Sequence, residues 1–279
     1  TGLFFVDRMR RLGKAGISTL IVSGNHDASS QITKALPWPD KVIFFSTKKP
    51  TTIRLENLGV AIHGQGYPSR AVTENLLMQY PQKDPDYWNI GLLHTGLTGR
   101  PGHEPYAPCS LDDLRSKGYE YWALGHVHQR EVVSENPWIL FPGNIQGRHI
   151  REIGGKGATL VTVEEGRVAQ VEHRDLDVVR WALCRLDLSE CETIDGVYEQ
   201  VRLAMEQEQN RADGRILAVR LLLEGNCPIH SKLLDRSAQW AEEFRGLAAG
   251  LGDVWLEKVL FRTRRRTSLE EILGEDTAL

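Results

Sequence analysis

Residues 20–27 read Leu20-Ile21-Val22-Ser23-Gly24-Asn25-His26-Asp27, a short β-branched and apolar run that stops at a glycine and delivers an amide, an imidazole and a carboxylate in succession. Two later stretches repeat the pattern. Residues Ile90 to Leu93 lead into His94-Thr95-Gly96, and Tyr121-Trp122-Ala123-Leu124 leads into Gly125-His126-Val127-His128. Apolar runs of this length, bounded by turn residues, are the signature of buried strands, so three strands each end on potential ligands. In α/β folds the C-terminal ends of parallel strands converge, and ligands collect there. The pattern therefore predicts an α/β protein with a polar site assembled from three strand ends.

Outward from these stretches, residues 2–15 carry apolar side chains at helical spacing, with Gly16 as a stop. Strands are expected at Ser18–Val22, Val42–Phe45, Thr51–Leu55, Val60–His63, Glu131–Ser134, Ile139–Phe141, Thr159–Val163 and Val168–His173. Turns are expected at Asn57–Gly59 and at Glu165-Gly166. Helices are expected over 70–79, ended by Pro81, and over Leu111–Lys117, with Ser110 as its N-cap. The texture changes near Asp177. Strands at Trp181–Leu188, Ile216–Leu223 and Val254–Phe261 alternate with helices at 193–211 and 230–249, a β-α-β-α-β run that makes a small second domain. The expected division is 1–177, 178–262 and a polar C-terminal segment 263–279.

Composition excludes several classes. The 279 residues are 41% apolar and 25% charged, as in an ordinary globular protein. A net charge of −3 gives no global attraction to nucleic acid, so any such contact depends on local basic patches. The four cysteines, at 109, 184, 191 and 227, form no C-x-x-C pair, which argues against a zinc ribbon and suits reduced thiols in a cytoplasmic protein. No run approaches the roughly 20 apolar residues of a membrane span.

Asparagine oxygen and histidine nitrogen are ligands for divalent transition metals, and a bound metal can make water nucleophilic at neutral pH. In an extended segment His126 and His128 point to the same side, so they suit one metal site or two adjacent ones. Taken singly, each motif has a plainer reading: an Asx turn for Gly24–Asp27, two solvated histidines for 126 and 128, a hydrogen-bonded strand-end histidine for His94. Arg148 is a candidate phosphate contact, since a guanidinium matches phosphate oxygens bidentately. Solvated surface is the alternative for Arg148, for the basic run Arg262, Arg264, Arg265 and Arg266, and for His103. His63 reads as a structural hydrogen-bonding residue, and Tyr119, Tyr121 and Trp122 as core or wall.

The ordered set of Gly24-Asn25-His26-Asp27, His94 and Gly125-His126-Val127-His128, with Phe141-Pro142-Gly143-Asn144-Ile145-Gln146-Gly147-Arg148 beyond it, resembles the calcineurin-like metallophosphoesterases, and within them the DNA-repair exonuclease branch of SbcD-type and YhaO-like proteins. The resemblance spans most of residues 18–150. It implies a metallophosphoesterase β-sandwich flanked by helices, with a small α+β cap domain, and metal-dependent hydrolysis of DNA phosphodiesters at two divalent ions. By the same resemblance Asn25, His94 and His126 match ligands of one ion and His128 a ligand of the other. His26 matches the non-ligand histidine that stabilises the transition state or protonates the leaving oxygen, with Asp27 orienting it. Nitrogen and oxygen donors without thiolate suit manganese. A homodimer, an SbcC-like ATPase partner, DNA as substrate and a cytoplasmic, membrane-free location are also implied. A nucleotide phosphoesterase and a degenerate DNA-binding scaffold are the alternatives.

One departure stands out. The family pattern opens with Asp-x-His and Gly-Asp motifs, which supply the carboxylate ligands. The chain contains no Asp-x-His, and its single Gly-Asp, Gly252-Asp253, falls after the other motifs, where a connecting turn explains it. The expectation is a chain lacking roughly 60–80 residues of that pattern, one α/β unit with its connections.

Overall fold

The computed structural model describes residues 2–28, 36–98 and 106–266. His103 lies outside the described residues. The chain divides into two units, Thr1–Asn144 with Ala158–His173, and Ile145–Gly157 with Arg174–Leu279. Residues 145–157, which the sequence pattern groups with the first domain, thus belong with the second unit.

In the first unit, helix α1 (Gly2–Lys14) precedes strand β1 (Thr19–Ile21), which pairs in parallel with β2 (Val42–Phe44). A six-stranded sheet follows, built from β3 (Thr51–Leu55), β4 (Val60–Gln65), β5 (Trp88–His94), β6 (Tyr121–Gly125), β7 (Glu131–Glu135) and β8 (Trp138–Phe141). Its order is β3-β4-β5-β6-β8-β7. The inner four strands are parallel and the two edge strands antiparallel, so the fold is α/β with a mixed central sheet. Strands β9 (Gly157–Glu164) and β10 (Arg167–Asp175) form a separate pair.

Packing across β5 and β6 sets their ends in register. Gly91 pairs with Trp122, and a Cβ at Gly91 would overlap the indole. Trp122 is fully buried and stacks on Tyr119, with ring centroids 4.8 Å apart. Tyr119, Tyr121 and Trp122 are core residues, as their place in an apolar run implied. The same register carries on to the pair His94 and Gly125 at the strand ends.

Helix α3 (Leu111–Ser116) has the expected start, a reciprocal capping box between Ser110 and Asp113. The helix expected over 70–79 does not form; only a 3-10 turn at Leu76–Gln79 does. The Asn75 side chain accepts from the Leu77 N–H and starts the turn there, while the Val72 carbonyl is taken by the N–H of Ala107. Local side-chain capping and a long-range backbone bond thus displace the helical ladder.

The second unit holds three parallel strands in the order β11 (Val179–Asp187), β12 (Ile216–Cys227) and β13 (Val254–Arg265). Helix α4 (Ile194–Arg211), capped by Thr193, crosses between the first two strands; α5 (His230–Asp235) and α6 (Ser237–Gly250) cross between the next two. The single helix expected over 230–249 breaks at Arg236, whose φ of −126° leaves the helical region. Strand β13 runs to Arg265, so Arg262, Arg264 and Arg265 are strand residues rather than a tail. The core joins Leu217, Val219, Leu221 and Leu223 of β12 to Val197, Val201, Met205 and Phe244 of the helices. The buried Asp177 carboxylate is held by Arg180 and Arg215 where β11 begins. All four cysteines are buried free thiols. No helix among the described residues is long and apolar enough to cross a membrane.

Candidate metal centre

Three chain ends meet in the first unit. β1 runs through Val22 and Ser23 into Gly24 and the single turn α2 (Asn25–Ala28). The Ser23 carbonyl accepts from the N–H of Tyr67, just past the end of β4. The turn closes on itself, since the Asp27 carboxylate accepts from the Gly24 N–H at 3.1 Å and the Gly24 carbonyl accepts from the Ala28 N–H at 3.0 Å. An isolated Asx turn is therefore not what these four residues form. β5 ends at His94, and Gly125 beside it accepts from the Thr95 N–H.

The imidazole of His94 lies in a slot whose walls are glycines. A Cβ on Gly24 would come within 2.5 Å of its Cε1, and a Cβ on Gly125 within 2.9 Å of its Nδ1. Each of the two flanking motifs thus opens with a glycine for the same reason. Tyr67, itself buried, fixes the floor of the slot: its hydroxyl donates to the His94 carbonyl at 2.9 Å and its ring meets the imidazole edge-on at 5.0 Å. His94 Nε2 is 3.0 Å from Asn25 Oδ1, and its ring is 5.3 Å from that of His126. Burial, reinforced by His126, His26 and His128 nearby, pushes the His94 pKa down to about 4. The ring is neutral at pH 7, the form in which an imidazole can bind a metal.

His126 sits at φ 103°, a region that non-glycine residues avoid. Such a backbone costs about 1–3 kcal/mol and persists where the surroundings dictate it. Here the strained turn brings its ring against both His94 and Tyr106.

The donors suit a metal ion in kind and in spacing. His94 Nε2 and Asn25 Oδ1 are hydrogen-bonded at 3.0 Å, which is also the separation of two ligands about 2.1 Å from one ion and at right angles. Among the described residues no three His, Cys, Asp or Glu side chains gather closely enough to hold an ion by themselves. Asn25 and His94 are a candidate pair of neutral donors.

Arg148 belongs to the second unit, where its N–H donates to the buried Glu152 carboxylate and its exposed guanidinium lies 4.0 Å from the same group. His63 is a core residue, bonded to Thr52 and Asn89 and stacked on Tyr119, with its pKa lowered by burial. The sequence did not point to Tyr67 or to the strained backbone at His126. The recurrence of glycine before both histidine-bearing motifs was the available clue to the slot.

Comparison with known proteins bears on this cluster. Residues 181–264 match the family model described as metallophosphoesterase YhaO, middle domain. The chain is 36% identical over 230 residues to the metallophosphoesterase YhaO of Bacillus subtilis strain 168, covering 81% of this chain and 56% of that protein. It is 26% identical over 237 residues to the DNA double-strand break repair protein Mre11 of Sulfurisphaera tokodaii, covering 79% of this chain and 57% of that protein. The chain thus spans about half the length of the curated relatives it matches.

Proposed function

We propose, for a chain that belongs to the metallophosphoesterases and to their YhaO and DNA-repair nuclease branch, that the protein hydrolyses DNA phosphodiesters with divalent metal, manganese being the ion its donors suit. The observation that carries this reading is the neutral His94 imidazole, locked between two glycines with its Nε2 against Asn25 Oδ1 and facing His126. Asn25, His94 and His126 would hold one ion and His128 would contribute to a second. A pair of bound ions would supply a nucleophilic water at neutral pH and stabilise the attacking and leaving oxygens.

The chain's own residues do the rest. Asn25 and His94 fix one side of the phosphate-binding cleft. His26, one residue from the ligand Asn25, donates a proton to the leaving oxygen or stabilises its charge. Asp27 holds the turn that aims His26, through its bond to the Gly24 N–H. Hydrolysis also requires carboxylate ligands, which these neutral donors do not replace. The activity is therefore proposed for a polypeptide in which Asp-x-His and Gly-Asp carboxylates accompany this chain. Selection of DNA ends by the second unit, phosphate contact by Arg148, a homodimer, an SbcC-like ATPase partner and a cytoplasmic role in DNA repair belong to the same proposal.

One second reading is a DNA-binding or scaffolding subunit without catalysis. The test is a comparison of hydrolysis rates on linear duplex DNA and on a nucleotide phosphoester, both with manganese, by the polypeptide that carries those carboxylates. Faster turnover of the DNA is expected. Faster turnover of the nucleotide would assign a small-substrate phosphoesterase, and no turnover of either would assign the scaffold.

A further inference from the structure

The second unit leaves one face of its sheet without helices. Strands β11, β12 and β13 are adjacent, parallel and sequential, and parallel crossovers are right-handed, so both connections put their helices on the same side. That side carries Leu217, Val219, Leu221 and Leu223, in one core with α4 and α6. Parallel sheets are ordinarily covered on both faces. Here the register assigns the other face Trp181, Leu183, Arg185 and Asp187 from β11, Ala218, Arg220, Leu222, Glu224 and Asn226 from β12, and Trp255, Lys258, Leu260, Arg262 and Arg264 from β13, with Glu224 opposite Arg262.

The chemistry of that face is specific. Ala218 is small and lies in register between the two tryptophans, whose rings meet edge to face at 6.1 Å. Trp181 is held by a bond from its Nε1 to the Gly147 carbonyl, whereas Trp255 is 56% exposed. The aliphatic residues of the central strand are already buried, Ala218 at 0% and Leu222 at 4%, so what remains accessible is aromatic and charged, with the cations outnumbering the carboxylates of Asp187, Glu224 and Glu257. Arg220 is bonded to Glu257 at 2.7 Å and Arg185 lies 3.8 Å from Glu224, while Asp187 accepts from Ser189. Lys258, Arg262 and Arg264 add positive charge along the outer strand, in a chain whose net charge is −3.

We infer that this face binds an unpaired tract of DNA, with a base stacked on Trp255 and the backbone running along β13 past Lys258 to Arg262 and Arg264. Every base offers a π-face once it is unpaired, and aromatic platforms beside a cationic track are how single strands are held without sequence preference. From Trp255 to Arg264 the strand covers roughly 30 Å at about 3.3 Å per residue, long enough for a few nucleotides. A duplex hides its base faces and would use only the cations. The inference rests on the proposed action on DNA for its choice of polymer, but its test does not depend on catalysis.

The experiment measures binding of a labelled oligothymidylate to the protein in EDTA, across a range of salt concentrations. Trp255→Ala is expected to weaken binding about tenfold or more with the salt dependence unchanged, and Trp255→Phe to restore most of it. Arg262→Ala with Arg264→Ala is expected to reduce the slope of log K against log salt by about 1.4, at about 0.7 per phosphate contact for a single strand. Binding by both variants equal to wild type overturns the inference, as does an equal loss for a blunt duplex after Trp255→Ala. Manganese-dependent DNA hydrolysis by the polypeptide with its full set of carboxylates separates the two readings. If hydrolysis proceeds and the variants bind normally, only the sheet-face assignment fails. If wild type hydrolyses no DNA, the catalytic reading fails, and the binding data still decide the face.

Discussion

Gly24→Ala is expected to lower metal affinity by about 10- to 100-fold, the range seen when the groups that orient a ligand are lost, although it removes no donor atom. The added methyl would lie 2.5 Å from Cε1 and 2.6 Å from Nδ1 of His94. The imidazole also packs against Gly125, so closely that a Cβ there would come within 2.9 Å of its Nδ1. Its backbone is equally fixed, by strand pairing with Gly125 and by the Tyr67 hydroxyl on its carbonyl. The ring must therefore swing away from Asn25, and the 3.0 Å spacing that suits an ion is lost. Titration with manganese, alongside a check of the unfolding midpoint, reads this directly. Affinity equal to wild type in a folded variant would mean that the slot does not position a ligand.

His26→Ala is expected to behave in the opposite way, with metal content near normal and turnover reduced by about 10²- to 10⁴-fold, the range for loss of a general acid. His26 is next to Asn25 in α2, and it is Asn25 Oδ1 that lies 3.0 Å from His94 Nε2. In the proposed mechanism the two side chains part company, Asn25 holding the ion and His26 facing the substrate. Metal analysis and DNA hydrolysis by the protein with its full set of carboxylates give the two readouts. Loss of metal together with activity would make His26 a ligand, and unchanged activity would remove it from the mechanism.

Strand ends were the most legible part of the sequence. The runs before His94 and Gly125 are apolar because they carry core residues such as Leu93, Trp122 and Leu124, while the run before Gly24 is only half-buried, and each ends at a residue of the candidate site. The second unit was legible for a related reason: long alternations of Leu, Val and charged residues can only be strands paired with the amphipathic segments between them. Position 70–79 misled, because helical spacing of Val72, Leu76 and Leu77 competes with a side-chain cap at Asn75 that no periodicity reveals. The site was partly legible. Asn25 and His94 are brought together and His126 lies against His94, but the positive φ of His126 and the clamp by Tyr67 depend on contacts between residues far apart in the chain. The placement of 145–157 was hidden for the same reason: Gln146 bonds to the start of β11, 33 residues away, which no local pattern encodes.

The central claim is that His94 and His126 coordinate a metal ion. Pulsed paramagnetic resonance of manganese bound to this chain tests it most directly, through the modulation that a coordinated imidazole nitrogen imposes on the metal signal. The expected spectrum carries imidazole modulation in wild type, loses part of it in His126→Ala and loses it altogether in a variant combining His94→Ala with His126→Ala. A spectrum without nitrogen modulation in wild type, or one that both substitutions leave unchanged, would contradict the claim.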